Sequence, residues 1–185
     1  MGMKQILLIL AAVVSLSVVA DEVVITDSVL KEVLGKKLKK PYGKFAPPMK
    51  LTEAELRNYK MLFLFRTKIT DQGLKDVAKL KQLDFLDLVE TQITDEGLKD
   101  VAKLQNLKLL MLGATQITDA GLKDVAKLQK LEKLGLEATQ ITDAGLKDVA
   151  KLQKLEYLWL NDTKITKEDV AELKKALPNC RILGP

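Results

Sequence analysis

The sequence predicts an α/β solenoid: a horseshoe-shaped stack with a parallel sheet on its concave side, short helices on its convex side and a helical cap at each end. The first observation behind this is a repeat. Residues 69–80 read Ile-Thr-Asp-Gln-Gly-Leu-Lys-Asp-Val-Ala-Lys-Leu, and the same run returns from Ile93, Ile117 and Ile141, 24 residues apart each time, with only its fourth letter changing. A period of that length holds one strand and one short helix per copy. The second observation is a change of periodicity inside each copy. In the copy from Leu107 to Leu128, Leu110 and Leu112 alternate as in a strand, after which Leu122, Val125, Ala126 and Leu128 recur at near-helical spacing. The third is that one such unit has an apolar side and nothing to bury it against, so the copies must stack, strand beside strand in parallel and helix beside helix on the opposite side.

Taken in order, residues 1–20 read as a signal peptide. Lys4 precedes an uncharged run from Gln5 to Val19 rich in Ile, Leu, Val and Ala, and Ala20 closes it before Asp21 and Glu22. The run is shorter than the ~20 residues that a membrane span needs, so no membrane span is expected after signal cleavage. No cysteine follows Ala20 to take a lipid anchor. Residues 21–58 read as a helical N-terminal cap. Asp27 caps a helix through Val29, Leu30, Val33 and Leu34; Pro41, Gly43, Pro47 and Pro48 mark a loop; and Thr52 with Glu55 forms a capping box at a second short helix. The two helices are expected to cover the first strand and to bury one of Phe63 and Phe65. Residues 59–164 hold the repeats. Residues 165–185 read as a C-terminal capping repeat, because Ile165-Thr166-Lys167-Glu168-Asp169 lacks the Gly-Leu of the other copies and the helical spacing runs on through Leu173 and Leu177.

Within a repeat, Leu107, Leu110, Leu112, Thr115 and Ile117 are expected to point inward. Thr118 or Asp119 is placed to accept the free N–H groups at the helix start, and Asp119 stands four residues before Lys123 as an ion pair on the outer face. Gly121 is a poor helix former, and its return in each full copy predicts a close backbone contact there. Thr67, Thr91, Thr115, Thr139 and Thr163 fall in one interior column whose hydroxyls are expected to bond to backbone. That column is structural, since no base recurs in register with it.

The core Leu131-Glu132-Lys133-Leu134-Gly135-Leu136-Glu137-Ala138-Thr139-Gln140-Ile141 resembles the leucine-rich repeat (LRR) family, with Thr where many members have Asn. The Thr-Asp-Ala-Gly-Leu that follows is similar to the cysteine-containing subtype and its bacterial relatives. The stretches Val24-Ile25-Thr26-Asp27 and Leu51-Thr52-Glu53-Ala54-Glu55-Leu56 resemble the helical cap of exported bacterial leucine-rich-repeat proteins. The resemblance spans nearly all of the mature chain. It implies ligand binding, mostly to proteins, and brings no catalytic residues with it.

Composition narrows the chemistry. With no histidine and one cysteine, the usual general base and the thiolate and imidazole metal ligands are missing, so no cofactor and no metal site is expected. A lone Cys180 in an exported chain forms no internal disulfide and is read as a small apolar residue under the C-terminal cap. The formal charge of +5 is uneven: residues 21–60 hold nine Lys/Arg against six Asp/Glu, and residues 61–185 hold twenty against nineteen. Lys36, Lys37, Lys39 and Lys40 carry the excess and read as a solvated helix end. Nucleic acid is not implied, because the cluster has no interleaved aromatics.

The copies differ from one another mainly around the strand. On the concave face they present Lys60, Met61, Phe63, Phe65 and Arg66; then Asp84, Phe85, Asp87, Val89 and Glu90; then Lys108, Leu109, Met111, Gly113 and Ala114; then Glu132, Lys133, Gly135, Glu137 and Ala138; and last Glu156, Tyr157, Trp159, Asn161 and Asp162. A verbatim scaffold with a diversified face is the pattern of a binding surface. The candidate ligand-binding residues are Phe63, Phe85, Asp87, Met111, Lys133, Glu137, Tyr157, Trp159 and Asn161, large apolar groups with a polar rim. Five strands about 4.8 Å apart make a strip roughly 20 Å wide, suited to a peptide or a loop. Carboxylate catalysis has only Asp87 with Glu90 or Glu137 to draw on, and no enzyme is expected. The sequence thus predicts a secreted or periplasmic, monomeric, non-catalytic module whose partner is a protein or peptide. The alternative is a structural envelope or spacer protein without a dedicated ligand.

Overall fold

Each repeat folds where its periodicity changes from two to about 3.6. The computed structural model describes residues 22–43, 46–57 and 59–185; the signal-peptide reading of residues 1–20 lies outside them. Strands β3 (Met61–Phe63), β4 (Phe85–Asp87), β5 (Leu109–Met111), β6 (Lys133–Gly135), β7 (Tyr157–Trp159) and β8 (Arg181–Leu183) form one six-stranded sheet in sequence order. All its pairings are parallel, with Leu62, Leu86, Leu110, Leu134, Leu158 and Ile182 in register. The sheet thus has one strand more than the five the sequence predicts. Helices α3 (Asp71–Val77), α4 (Asp95–Val101), α5 (Asp119–Val125) and α6 (Asp143–Val149) line the opposite side, followed by α7 (Lys167–Ala176). The chain is an α/β solenoid, as the sequence predicts.

The core is a set of columns. Leu86, Leu88, Ile93, Leu98 and Leu104 are fully buried, and so are Leu110, Leu112 and Ile117 one repeat on. The interior threonines behave as a turn device. Thr67, Thr91, Thr115, Thr139 and Thr163 each donate a hydroxyl to the leucine carbonyl three residues back, at 2.6–2.7 Å. Just before each threonine, Arg66, Glu90, Ala114, Ala138 and Asp162 adopt left-handed backbone, φ 52–58°. That conformation folds the chain off the strand toward the convex side.

The repeats are also riveted along the helix starts. Thr118 caps α5, accepting from the Ala120 N–H. Asp119 does something the sequence reading did not foresee: its carboxylate accepts from the next repeat, from Thr142 N–H at 2.9 Å and Thr142 Oγ1 at 2.7 Å. Asp71 holds Thr94 and Asp95 holds Thr118 in the same way. The predicted Asp119–Lys123 pair gives way to Asp124 with Lys127 at 2.6 Å, three residues apart. Gly121 shows why glycine recurs: a methyl there would overlap the Asp95 carboxylate and the Leu98 side chain.

The N-terminal segment holds an antiparallel pair, β1 (Val23–Ile25) with β2 (Met49–Leu51), besides α1 (Ser28–Leu38) and α2 (Glu53–Leu56). Asp27 caps α1 through Leu30 N–H, and Thr52 with Glu55 forms the reciprocal box on α2. The segment is anchored to the first repeat through Asp76, whose Oδ2 accepts from Thr26 N–H, Thr26 Oγ1 and Asp27 N–H at 2.5–2.9 Å. The lysine cluster is largely engaged at home. Lys36 pairs with Glu32, Lys37 lies over the Tyr59 ring and Lys40 pairs with Glu55. Cys180 is buried, as expected of a small apolar residue, and burial pushes its thiol pKa up.

Candidate functional site: the concave sheet

Because one leucine per strand points into the core, its two flanking residues point to the concave face. Strand pairing stacks these into rows. One row runs Met61, Phe85, Leu109, Lys133, Tyr157, Arg181 and the next Phe63, Asp87, Met111, Gly135, Trp159, Leu183. The ladder continues one step past the strands, with Arg66 N–H bonded to Val89 O, Glu90 N–H to Gly113 O, Ala114 N–H to Glu137 O and Ala138 N–H to Asn161 O at 2.8–3.0 Å. Phe65, Val89, Gly113, Glu137 and Asn161 therefore form a third row. All nine candidate residues fall in these three rows, so the structure gathers them on one face.

The aromatics gather at the two ends. Phe63 and Phe85 meet edge to face at 4.9 Å and 82°, and Tyr157 stacks with Trp159 at 5.9 Å and 19°. At the N-terminal end the sequence expectation fails. Neither phenylalanine is covered by the N-terminal segment: Phe63 is 53% exposed, and Phe65 and Met61 are each 45% exposed. The segment docks on the helix side through Asp76 and leaves the concave face of β3 open.

The charges of this face are mostly spoken for. Arg66 grips Glu90 with two hydrogen bonds of 2.8 Å, which lowers the glutamate pKa and raises that of the arginine. Asp87 accepts from Val89 N–H at 3.0 Å, and Lys133 sits over the Tyr157 ring, 5.2 Å from its centre. Glu137 is the exception: its Oε2 is buried and has no hydrogen-bond partner. It borders a hollow of about 280 Å³ lined also by Val89, Glu90, Met111, Gly113, Ala114 and Ala138. Sequence reasoning passed over Gly113 and Gly135 as site-makers, although their signal was there: glycine where other copies carry Phe65 and Val89, or Phe63 and Trp159. Two other hollows lie elsewhere, about 380 Å³ beside Val23, Leu56 and Gln82 and about 310 Å³ between α6 and α7.

A sequence profile described as Leucine Rich repeat matches residues 80–102. No curated protein matches the chain. Among solved structures, a leucine-rich-repeat protein of Leptospira interrogans is 26% identical with a TM-score of 0.49, over 69% of this chain and 38% of that one. Internalin C2 of Listeria monocytogenes is 20% identical with a TM-score of 0.49, over 86% and 93%. Internalin F of the same organism is 22% identical with a TM-score of 0.44, over 71% and 49%. The chain spans little more than a third of the Leptospira protein's length. Among the described residues, no helix is long and apolar enough to cross a membrane.

Proposed function

We propose that this leucine-rich-repeat chain is a non-catalytic binding module that holds a protein or an extended peptide against its concave sheet, with Phe85, Met111, Tyr157 and Trp159 as anchors. Stacked repeats of this kind present extended concave surfaces suited to binding. The observation that carries the reading is the contrast between the faces. The copies repeat almost letter for letter along the helices, while the three concave rows change residue at nearly every step and keep large side chains partly exposed. Exposed aromatic groups beside unlike charges are the composition of interface anchors.

In this reading residues 1–20 direct export, residues 21–58 and 165–185 seal the ends of the array, and the partner is met in the periplasm or outside the cell. The strip is narrow against the ~800 Å² that a standard interface takes from each partner, which favours a peptide or a protruding loop. The test is cross-linking recovery from envelope and culture fractions with the chain and with a Phe85→Ala, Met111→Ala, Tyr157→Ala, Trp159→Ala variant of matched melting temperature. A partner captured by the first and lost by the second is the expected result. Equal recovery by both sinks the concave-face reading and leaves a spacer without a dedicated ligand.

A further inference from the structure

The concave face contains a two-by-two block unlike the rest of the sheet. Met111 and Gly135 are register partners, and Gly113 and Glu137 follow two residues on. Both glycines stand on the diagonal, so two neighbouring side chains are missing from the middle of the face. Into the gap lean the ends of Met111 and Glu137: a Cβ added at Gly135 would lie 2.7 Å from Met111 Cε and 2.9 Å from Glu137 Oε2, and one at Gly113 would lie 3.4 Å from that same oxygen.

Glu137 Oε2 is thereby shielded from water without gaining a donor. An unpartnered buried acceptor is costly, and a carboxylate oxygen more so than a neutral one. The neighbouring cations do not relieve it. Lys133, on the same strand, lies against Tyr157; Arg66 is taken by Glu90; and Lys108 reaches Glu132 at 3.2 Å. The methyl end of Met111 and this oxygen converge on the same space above Gly135, and a methionine end is flexible enough to be displaced from it.

Resting on the concave-face reading above, we infer that this hollow is a subsite for one cationic side chain, arginine or lysine, of the bound peptide. The cation displaces the end of Met111 and donates to Glu137. Val89 and Met111, which line the hollow, flank its methylene stem. Arginine fits best, because its planar fork reaches both carboxylate oxygens at once.

The test titrates ¹⁵N-labelled protein with Nα-acetyl-arginine methylamide, its lysine counterpart and its neutral citrulline counterpart, following the amide signals of Gly113, Gly135 and Ala138. Saturable shifts with the two cations, at least tenfold weaker with citrulline, are expected, and Glu137→Gln removes the difference. Equal response to all three probes, or none to any, overturns the subsite; the comparison on unaltered protein holds even if the variant folds poorly. The two readings fail separately. A selected peptide that needs Phe85 and Trp159 but carries no cation leaves the concave module standing and removes this subsite.

Discussion

At the scale of single residues, the turn after each strand holds a cost that the repeat has kept. Ala114 and Ala138 sit at φ 52°, where a side chain with a Cβ is disfavoured by roughly 1–2 kcal/mol. Their backbone N–H groups extend the sheet ladder, so the conformation is held by the stack. Glycine there relieves the strain and costs some unfolded-chain entropy, so Ala114→Gly is expected to raise stability by about 0.5–1 kcal/mol. A urea melt checks it, and an unchanged or lowered midpoint refutes it. A second residue-scale effect belongs to Asp76. Burial pushes its carboxyl up, but Lys79, the N–H groups of Asp27 and Thr26 and the Thr26 hydroxyl together outweigh burial and hold the pKa below the ordinary 3.8. A carboxyl lowered in the fold contributes stability that is complete above its unfolded value and is lost as pH falls through its folded value. The anchor of the N-terminal segment should therefore weaken below pH 3.8. Amide exchange in β1 and α1 should accelerate there before exchange in β5 does, and Asp76→Asn should flatten that dependence.

At the scale of elements, coupling between repeats is carried by aspartate-to-threonine rungs as well as by leucine columns. Asp95 receives two hydrogen bonds from Thr118, of 2.8 and 2.6 Å. At the C-terminal end the series breaks. Thr166 turns back to Asp169 of its own helix in a capping box, so Asp143 lacks the rung that its equivalents make. The hollow of about 310 Å³ between α6 and α7 lies at this break. Hydrogen bonds to a charged group contribute about 1.5–3 kcal/mol, less where water reaches them. Asp95→Ala is accordingly expected to cost about 1–2 kcal/mol, and Asp143→Ala less than about 0.5 kcal/mol. Equal losses in thermal melts would refute the rung as a coupling device. The rungs are not legible from one copy, because Asp119 and its donors on Thr142 are 23 residues apart and a helix-start aspartate already has a local explanation.

At the scale of the whole molecule, an array stands or falls by its ends. Removing residues 21–56 bares the fully buried Leu62, Leu64 and Ile69 together with the carboxylate of Asp76, which loses its Thr26 and Asp27 donors. The truncated chain is expected to aggregate, as an open edge strand with an apolar flank does. A soluble truncation that melts cooperatively would refute this. The concave face stays accessible in the intact chain because the N-terminal segment docks from the helix side, leaving Met61, Phe63 and Phe65 exposed.

The 24-residue recurrence by itself determined the solenoid, its parallel register and the inward leucine columns, because an identical unit has to bury an identical side against its neighbour. It also placed all nine candidate residues in three concave rows, since strand alternation leaves them no other face. Tertiary structure alone decided the rest. The pairing of β1 with β2 and the addition of β8 to β7 depend on three-residue segments, β1, β2 and β8, that carry no repeat signal. The exposure of Phe63 and Phe65 depends on which side the N-terminal segment docks, and that is settled by Thr26 meeting Asp76 across fifty residues of chain. The unmatched oxygen of Glu137 arises only when two glycines from different copies come side by side, a neighbourhood created by stacking and spelled out in no single repeat.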